Sequence, residues 1–520
     1  MAANQQNNNR RSLRQTIGLI AGPLVALVLL IFFDLDPANP LVTRAAAVAA
    51  LMAIWWITEA IPIPATALLP VALFPLLGIM PGKTVAATYF NHIIFLFIGG
   101  FIMALAMQKW NLHRRIALKI ILLIGVSPRR IVLGFMAATA FLSMWISNTA
   151  TTMMMVPIAM AIIVKLKENF AGKETSRFSV GLLIAIAYAA SIGGTATLIG
   201  TPPNLSFTRI FSIYFPEAPE ISFAQWIMFG LPLAVLFLLI AWRLLTWIFV
   251  PGKKAFAADV NIFREEYRRL GRMSYEERVV LILFILLAFL WLFRTDIITG
   301  WFVIPGWSGI FPMPGFIDDG TVAMMIAALL FVIPARSRVG TTRLGQVASR
   351  LMDWQTAGKL HWGIVILFGG GFALASGFKE SGLSVWFGQQ LTGLGDTPPV
   401  LMIGSICTML TFLTELTSNT ATTEMVLPLL GSLAVAIKTN PLLLMIPATL
   451  SASCAFMLPV ATPPNAIVFG TGEVRMADMM RVGIIMNLIG VVLITAFIYL
   501  LGTAVFSIDP GQMPNWAAQP

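Results

Sequence analysis

The sequence predicts an all-α protein that crosses a membrane about eleven times and consists of two related halves in opposite orientation. Of its 520 residues, 58% are hydrophobic and only 11% are charged, a balance that water-soluble globular domains do not reach. Apolar stretches recur from residue 15 to residue 505, and a set of short motifs occurs twice in the same order. These observations predict a polytopic membrane protein with an internal repeat and leave no segment for a soluble catalytic domain.

The apolar stretches are too numerous for all of them to be complete crossings, since a helix needs roughly 20 residues to span the hydrocarbon core. Two pairs, 132–146 with 150–164 and 400–413 with 421–437, are each interrupted by a polar Ser-Asn-Thr tip, with no charged loop to place in water. Each pair predicts a re-entrant hairpin, which leaves eleven complete crossings. The stretches lie at 16–33, 42–61, 64–80, 93–107, 132–146, 150–164, 179–200, 225–250, 279–293, 320–334, 362–378, 400–413, 421–437, 443–460 and 481–505.

Lysines and arginines concentrate in a few connections between the apolar stretches, as the positive-inside rule expects for cytoplasmic loops. Four connections contain six, four, seven and five of them, respectively: 108–130, 165–177, 251–278 and 335–359. The connection 294–318, which the same count places outside, contains only Arg294. Membrane topology therefore accounts for the net charge of +11, and a nucleic-acid partner is not expected.

A duplicated motif organises the chain. SNTATTMMMVP at 147–157 matches SNTATTEMVLP at 418–428 in eight of eleven positions, at an offset of 271 residues. The same offset relates FIGGF at 97–101 to FGGGF at 368–372. The repeat therefore includes a glycine-rich helix as well as the hairpin that follows it.

A third pair, GTPPN at 200–204 and ATPPN at 461–465, follows the hairpins at an offset of 261 residues. Glycine-rich helix, hairpin and broken helix thus occur twice in that order. Charge predicts that the copies are inverted, because 108–130 holds six Lys or Arg whereas the matching 379–401 holds only Lys379. Inverted repeats whose broken helices meet near the bilayer midplane are typical of secondary transporters.

The predicted organisation has two halves, a linker and two tails, in a plasma membrane, which in a bacterium is the inner membrane. The parts are a cytoplasmic tail 1–14, a first half 15–250 with an inner hairpin 132–164 and a broken helix 179–204, a cytoplasmic linker 251–278 with an interfacial helix, a second half 279–505 with an outer hairpin 400–437 and a broken helix 443–470, and an outer tail 506–520.

The two tips and the two Thr-Pro-Pro-Asn breaks are candidate binding sites, because non-helical backbone in hydrocarbon is costly unless something satisfies its polar groups. The prolines unwind the helix and leave carbonyls that suit a hard cation. Half-helix N-termini and the Asn and Thr side chains suit a carboxylate. Because 143–152, 414–423 and both breaks lack Lys, Arg and His, a bound dianion would need co-bound cations.

A hydroxyl one helical turn before each tip adds oxygen ligands on the same face: Ser143 precedes Ser147, and Thr414 precedes Ser418. We therefore expect one sodium ion beside each tip and no organic cofactor. Small hydroxyl residues also line helix contacts in membranes, which is the simpler interpretation of one tip alone. Two tips, each followed by a break, favour the binding interpretation.

Three acids within or near apolar segments, Glu59, Glu415 and Glu424, are functional candidates because their burial is costly, and they leave proton coupling open. Structural roles are favoured for Glu415, beside its tip, and for Glu59, at a helix end. An enzyme with Ser147 or Ser418 as nucleophile would lack a neighbouring His or Lys to activate the hydroxyl. A channel would show a continuous pore lining or rings of charge.

Longer segments that include these motifs carry a resemblance to a known family. They are WWITEAIPIPATALLP at 55–70, YAASIGGTATLIGTPPN at 188–204 and AFMLPVATPPNAIVFG at 455–470. With the paired tips, they resemble the divalent anion/sodium symporter family of sodium-coupled di- and tricarboxylate transporters, from about residue 15 to residue 505. The resemblance implies a homodimer and an elevator-type transporter, in which a transport part slides against a scaffold.

The family pattern also implies where substrate and sodium bind in this sequence. The implied substrate residues are Asn148, Thr149, Thr201, Asn419, Thr420, Thr462 and Pro463. The implied ligands of the first sodium ion are Ser143, Ser147, Asn148 and Gly200, and those of the second are Thr414, Ser418, Asn419 and Ala461. Several of these would contribute backbone carbonyls.

We therefore expect a sodium-coupled symporter of C4-dicarboxylates such as succinate, fumarate and malate, with the lipid bilayer, sodium, the substrate and a second copy of the chain as partners. A sodium-independent dicarboxylate exchanger, or a citrate or sulfate symporter, stays open, because the tips would accept any small oxyanion. The intact hydroxyls at both expected sodium sites favour sodium coupling.

Overall fold

The computed structural model describes residues 12–125, 127–169, 173–250, 260–298, 303–336, 350–394 and 397–518. Most of these residues lie in helices, and eight of the described helices are long and apolar enough to cross a membrane. The chain is therefore a multi-pass, mainly helical membrane protein. The eleven crossings and the re-entrant course of the hairpins stay predictions. Residues 1–11 of the predicted N-terminal tail and 519–520 of the predicted C-terminal tail lie outside the described residues.

The first half contains twelve described helices, and its broken segments divide where the sequence places Pro and Gly. The helices are α1 (Leu13–Phe32), α2 (Pro40–Thr58), α3 (Ile63–Thr66), α4 (Leu69–Leu76), α5 (Gly82–Thr88), α6 (His92–Lys109), α7 (Leu112–Ile124), α8 (Pro128–Ser143), α9 (Asn148–Asn169), α10 (Lys173–Gly194), α11 (Pro202–Tyr214) and α12 (Phe223–Phe249).

The second half follows a helix in the described part of the predicted linker, whose residues 251–259 lie outside the description. This linker helix is α13 (Val260–Arg269). The elements that follow it are α14 (Tyr275–Leu292), an antiparallel ribbon of β1 (Ile297–Ile298) and β2 (Val303–Ile304), α15 (Asp319–Val332), α16 (Trp354–Ala357), α17 (Trp362–Ser381), α18 (Leu383–Gln390), α19 (Pro399–Leu413), α20 (Asn419–Ala436), α21 (Leu442–Ala452), α22 (Pro463–Gly470), α23 (Met476–Phe497) and α24 (Thr503–Val505).

Prolines explain why the apolar stretch predicted over 64–80 is not one helix. Pro64 lies in the first turn of α3 and Pro70 in the first turn of α4. Each lacks an amide hydrogen and disfavours helical geometry at the preceding residue, so the chain forms two short helices. The stretch 443–460 also divides, because α21 ends at Ala452 and the next helix begins only at the proline pair of the second break.

The two halves interlock through their broken helices. Helix α11, which follows the first break, packs on α20 and α21 of the second half. Helix α22, which follows the second break, packs on α9 and α10 of the first half. The glycine-rich helix α6 packs tightly on α15, where a Cβ at Gly99 would lie 2.6 Å from the Ala323 carbonyl carbon.

Ion pairs join the charged connections that are predicted to be cytoplasmic. Buried Arg115 of α7 donates to both carboxylate oxygens of Glu277 at 3.1 and 3.0 Å, which ties the start of α14 to the first half. Lys109 donates to Asp353 at 2.7 Å. Burial raises the pKa of Asp353, but hydrogen bonds from Lys109 and Thr356 outweigh it and lower that pKa to about 2.

Candidate functional site

A cavity of about 510 Å³ lies where the two tips and the two breaks meet. The tips contribute 147–149 and 418–420, and the breaks contribute 200–203 and 461–464. The residues predicted to bind substrate all line this cavity: Asn148, Thr149, Thr201, Asn419, Thr420, Thr462 and Pro463. Motifs separated by more than 250 residues in the sequence therefore share one cavity.

Four helices begin at the cavity wall. Helix α9 begins at Asn148, α20 at Asn419, α11 at Pro202 and α22 at Pro463, and each of these residues lines the cavity. Helix N-termini carry partial positive charge and unsatisfied amide hydrogens, except where proline removes the amide. Converging N-termini with Asn and Thr side chains form a site suited to an anion.

The predicted first sodium site contains more oxygen acceptors than hydroxyl protons. The Ser143 hydroxyl, which is fully buried, lies 2.5 Å from Asn148 Oδ1 and 2.8 Å from the carbonyl oxygen of Ala190. It can donate its one proton to only one of these oxygens at a time. Ala190 is in the last turns of α10, where the helix dipole is negative, so the oxygen cluster suits a cation.

The predicted second site repeats this arrangement. The Thr414 hydroxyl is fully buried and lies 2.7 Å from Asn419 Oδ1 and 2.9 Å from the carbonyl oxygen of Ala452, the last residue of α21. Ser143 and Thr414 do not line the cavity and lie behind the tips. The other predicted sodium ligands do line it: Ser147, Asn148, Gly200, Ser418, Asn419 and Ala461.

The asparagine of each break holds the unwound backbone that precedes it. Asn204 donates to the carbonyl oxygens of Thr197 and Thr195 at 2.8 and 3.3 Å. In the second break, Asn465 donates to the carbonyl oxygens of Leu458 and Ala455, at 3.0 and 3.1 Å. Both side chains are fully buried, which explains why asparagine ends each TPPN motif.

The second break has an additional support, Glu415, that the first lacks. Its carboxylate accepts hydrogen bonds from the amides of 456, 457 and 458 at 2.7, 2.8 and 2.9 Å and from Asn487 Nδ2 at 2.8 Å. The sequence favoured a structural role for this acid through hydrogen bonds to its hairpin, but its partners lie instead before the second break and on α23. The repeat-related residue is Met144, whose carbonyl oxygen instead accepts a bond from Thr197 at 2.5 Å.

Gly194 lies against two ligands of the predicted first sodium site, although its sequence pattern did not indicate this. A Cβ at this position would lie 2.6 Å from Asn148 Oδ1 and 3.1 Å from the Gly200 carbonyl oxygen. Any other residue would therefore displace two predicted sodium ligands. The GG pair at 193–194 before the break was a possible signal, but paired glycines usually indicate close helix packing in membrane proteins.

Part of the cavity wall comes from residues that sequence reasoning did not place at the site. Glu59, which follows α2 with φ 51°, and His361, which precedes α17, line the cavity with Phe101 of α6. No Lys or Arg lines it in the described part of the chain. Glu424 is not part of the lining. The position of Glu59 and His361 depends on packing between distant helices, which no local pattern indicates.

Comparisons with known proteins agree with this geometry. Residues 17–508 match the model of the sodium:sulfate symporter transmembrane region. The chain is 44% identical over 515 residues to the sodium-dependent dicarboxylate transporter SdcS of Staphylococcus saprophyticus, covering 98% of this chain and 96% of that one. It is 44% identical over 503 residues to the protein of the same name from Staphylococcus aureus, covering 96% and 93%.

Two solved structures share the fold at low sequence identity. The YdaH transporter of Alcanivorax borkumensis superposes with a TM-score of 0.54 and 12% identity, over 88% of this chain and 98% of that one. MtrF of Neisseria gonorrhoeae gives a TM-score of 0.54 and 11% identity, over 92% and 98%. These similarities support a transporter fold and say nothing about the substrate.

Proposed function

The chain belongs to the sodium:sulfate symporter family, and we propose that it is a sodium-coupled symporter of C4-dicarboxylates such as succinate, fumarate and malate. The observation that carries this proposal is the convergence of both tips on one cavity without a lysine or arginine in its described lining. The names of the two staphylococcal relatives, sodium-dependent dicarboxylate transporters, support the same substrate class.

The geometry favours a ligand with two anionic ends. Each tip offers an asparagine, a threonine and a helix N-terminus, so a linear dicarboxylate can present one carboxylate to each tip. A single-centred oxyanion such as sulfate has one cluster of oxygens and leaves one tip without a partner. The short distance spanned by a C4 chain suits a cavity of about 510 Å³ shared with cations.

Sodium ions supply the charge that the side chains do not. Two oxygen clusters, one behind each tip, combine a hydroxyl, the tip asparagine and a carbonyl at a helix C-terminus. Each asparagine thereby contacts the cation cluster with its amide oxygen and the anion cavity with the rest of its side chain. Binding of sodium and binding of substrate are coupled through Asn148 and Asn419, because either ligand orders an asparagine that the other ligand also contacts.

The cavity wall supports an inward-facing state in an elevator-type cycle. Glu59 and His361 lie at helix ends that the positive-inside rule predicts to be cytoplasmic. Arg14, at the cytoplasmic start of α1, donates to the carbonyl oxygens of Ile57 and of Leu416, the latter in the second tip at 3.1 Å. A tip that touches the cytoplasmic end of α1 must move outward to release substrate on the other side.

We also infer, from the family resemblance, a homodimer in the plasma membrane with its N-terminus in the cytoplasm. Light scattering of the purified protein in detergent should give the mass of two chains. A mass of one chain at every protein concentration would contradict the dimer without affecting the proposed transport.

Uptake of labelled succinate into proteoliposomes tests the proposed function. An inward sodium gradient should drive accumulation above equilibrium, whereas an equal potassium gradient at matched membrane potential should not. Uptake that needs internal dicarboxylate but not sodium would identify an exchanger and contradict symport. Absence of succinate flux together with sodium-driven citrate or sulfate flux would contradict the substrate class.

A further inference from the structure

Glu424 is a buried acid that neither the cavity nor the sodium clusters use. It lies on α20, one helical turn after Thr420, and its side chain is fully buried. Its Oε1 accepts a hydrogen bond from the hydroxyl of Ser206 on α11. Its Oε2 has no hydrogen-bond partner among the described residues. The carboxyl group therefore has one neutral donor and one unsatisfied oxygen.

No charged side chain compensates Glu424 in the described structure. The helices that pack most extensively against α20 in the described structure are α2, α11, α17, α18 and α21, and the last two contain no ionisable residue. The ionisable residues of the other three are Arg44, Arg209, Tyr214, Lys379 and Glu380. None forms an ion pair with Glu424.

The three basic side chains among these have other partners. Arg44 donates to the Leu77 carbonyl at 2.9 Å, Arg209 to the Ser212 hydroxyl at 3.4 Å, and Lys379 to the Ile213 carbonyl at 2.9 Å. An ionised carboxylate in these surroundings is strongly unfavourable, and such a group is neutralised instead.

A proton fits this position better than a metal cation. Gly371 of α17 lies directly against Glu424, and a Cβ at Gly371 would overlap Oε2. A sodium ion would require several oxygen ligands and space beside that oxygen, whereas a proton requires neither. The repeat-related residue of the first half is Met153, which is 61% exposed, so the acid is a feature of the second half alone.

We propose that Glu424 is a proton-binding site of the carrier. Its Oε2 holds a proton while α20 packs against Gly371 of α17, and it exchanges that proton with water when α20 moves away from α17. The reaction is a simple dissociation of the carboxylic acid, which leaves a carboxylate and transfers one proton to water. The coupling to transport rests on the proposed function, because α20 also carries Asn419 and Thr420, and a cycle that moves this helix uncovers Glu424.

Infrared difference spectra between the wild type and each variant, purified in lipid at neutral pH, test the proton site without requiring transport. The wild type should show the carbonyl stretch of a protonated carboxylic acid that is missing in Glu424→Gln and retained in Met153→Gln, the matched control. Ser206→Ala should shift this band to higher frequency, because the carbonyl oxygen loses its hydrogen bond. A spectrum in which Glu424→Gln removes only carboxylate bands, and Ser206→Ala shifts none of the acid bands, would overturn the proposal.

The pH dependence of uptake tests the coupling. Above the apparent pKa of the uncovered Glu424, wild-type uptake should fall by about tenfold per pH unit relative to Glu424→Gln, which cannot lose a proton. The ratio of the two variants cancels the protonation of the substrate itself, and Met153→Gln should follow the wild type. A constant ratio from acid to alkaline pH would overturn the coupling. If no variant transports succinate, the proposed function fails while the infrared band still decides the proton site.

Discussion

The first tip, between α8 and α9, and the second tip, between α19 and α20, present equivalent oxygens in equivalent geometry. A hydroxyl lies 2.5 Å from Asn148 Oδ1 in one and 2.7 Å from Asn419 Oδ1 in the other, each within 2.9 Å of a carbonyl at a helix C-terminus. Their supports differ. Glu415 accepts three hydrogen bonds from the backbone amides before the second break and a fourth from Asn487 of α23, whereas the first break relies on the Thr197 hydroxyl and a glycine at 194.

This difference separates the atoms that bind from the atoms that position them. In the proposed function both predicted sites match the same ion and the same kind of carboxylate, which accounts for the equivalent oxygens in the two halves. The supporting residues need only keep the unwound backbone in place, and any buried acceptor or hydroxyl in the right position can do so. Substitutions at the ligand atoms should therefore act alike in both halves, and those at the supports should not.

The largest expected effect comes from the shared asparagines. Asn148→Ala and Asn419→Ala each remove a proposed ligand of both sodium and substrate. The loss of binding free energy is about 2 kcal/mol or more, which should lower succinate uptake at least about 30-fold. Uptake by proteoliposomes measures this, with size-exclusion profiles to show that the protein is folded. A variant that keeps more than half of the wild-type rate would break the equivalence of the tips.

The supports should show the asymmetry. Glu415→Gln replaces acceptors of three backbone amides by a group with an added donor, and should lower the free energy of unfolding by about 3 kcal/mol. Thr197→Val removes one hydroxyl and should lower the free energy of unfolding by only about 1 kcal/mol. Thermal unfolding in detergent measures both. An equal loss of stability in the two variants would mean that the supports are equivalent after all.

Gly194→Ala should affect the first tip and leave the second tip unchanged. The added methyl group displaces Asn148 Oδ1 and the Gly200 carbonyl, so the sodium concentration for half-maximal uptake should rise about fivefold, which corresponds to about 1 kcal/mol. The matched control is Gly404→Ala on α19, where an added Cβ has nothing within 4 Å. An unchanged sodium dependence in Gly194→Ala would remove this residue from the site.

Arg14→Ala should have the smallest effect, and only through the second tip. Arg14 is exposed, and its hydrogen bond to the Leu416 carbonyl contributes about 1 kcal/mol or less to the inward-facing state. We expect initial uptake rates within about threefold of the wild type, and Arg14→Lys should lie between the two. A loss as large as that of Asn419→Ala would show that Arg14 acts on the binding site itself.

The sequence by itself determined the membrane class, the repeat and the candidate residues of the site. A bilayer imposes local rules, since helices must satisfy their own backbone and charged loops must stay in water, so composition and charge are sufficient to recognise a polytopic chain. The duplicated tips and breaks fixed Asn148, Asn419 and their neighbours as candidates. The hydroxyls of Ser143 and Thr414 followed from helical spacing alone.

Only the tertiary structure decided how these residues meet. The shared cavity, its wall of Glu59 and His361, the contact of Gly194 with Asn148, and the bonds of Glu415 all join residues on different helices. Periodicity reports which face of one helix is apolar but not which distant helix covers it. The burial of Glu424 between Ser206 and Gly371 has the same origin, because residues 218 positions apart in the chain become neighbours only when the two halves interlock.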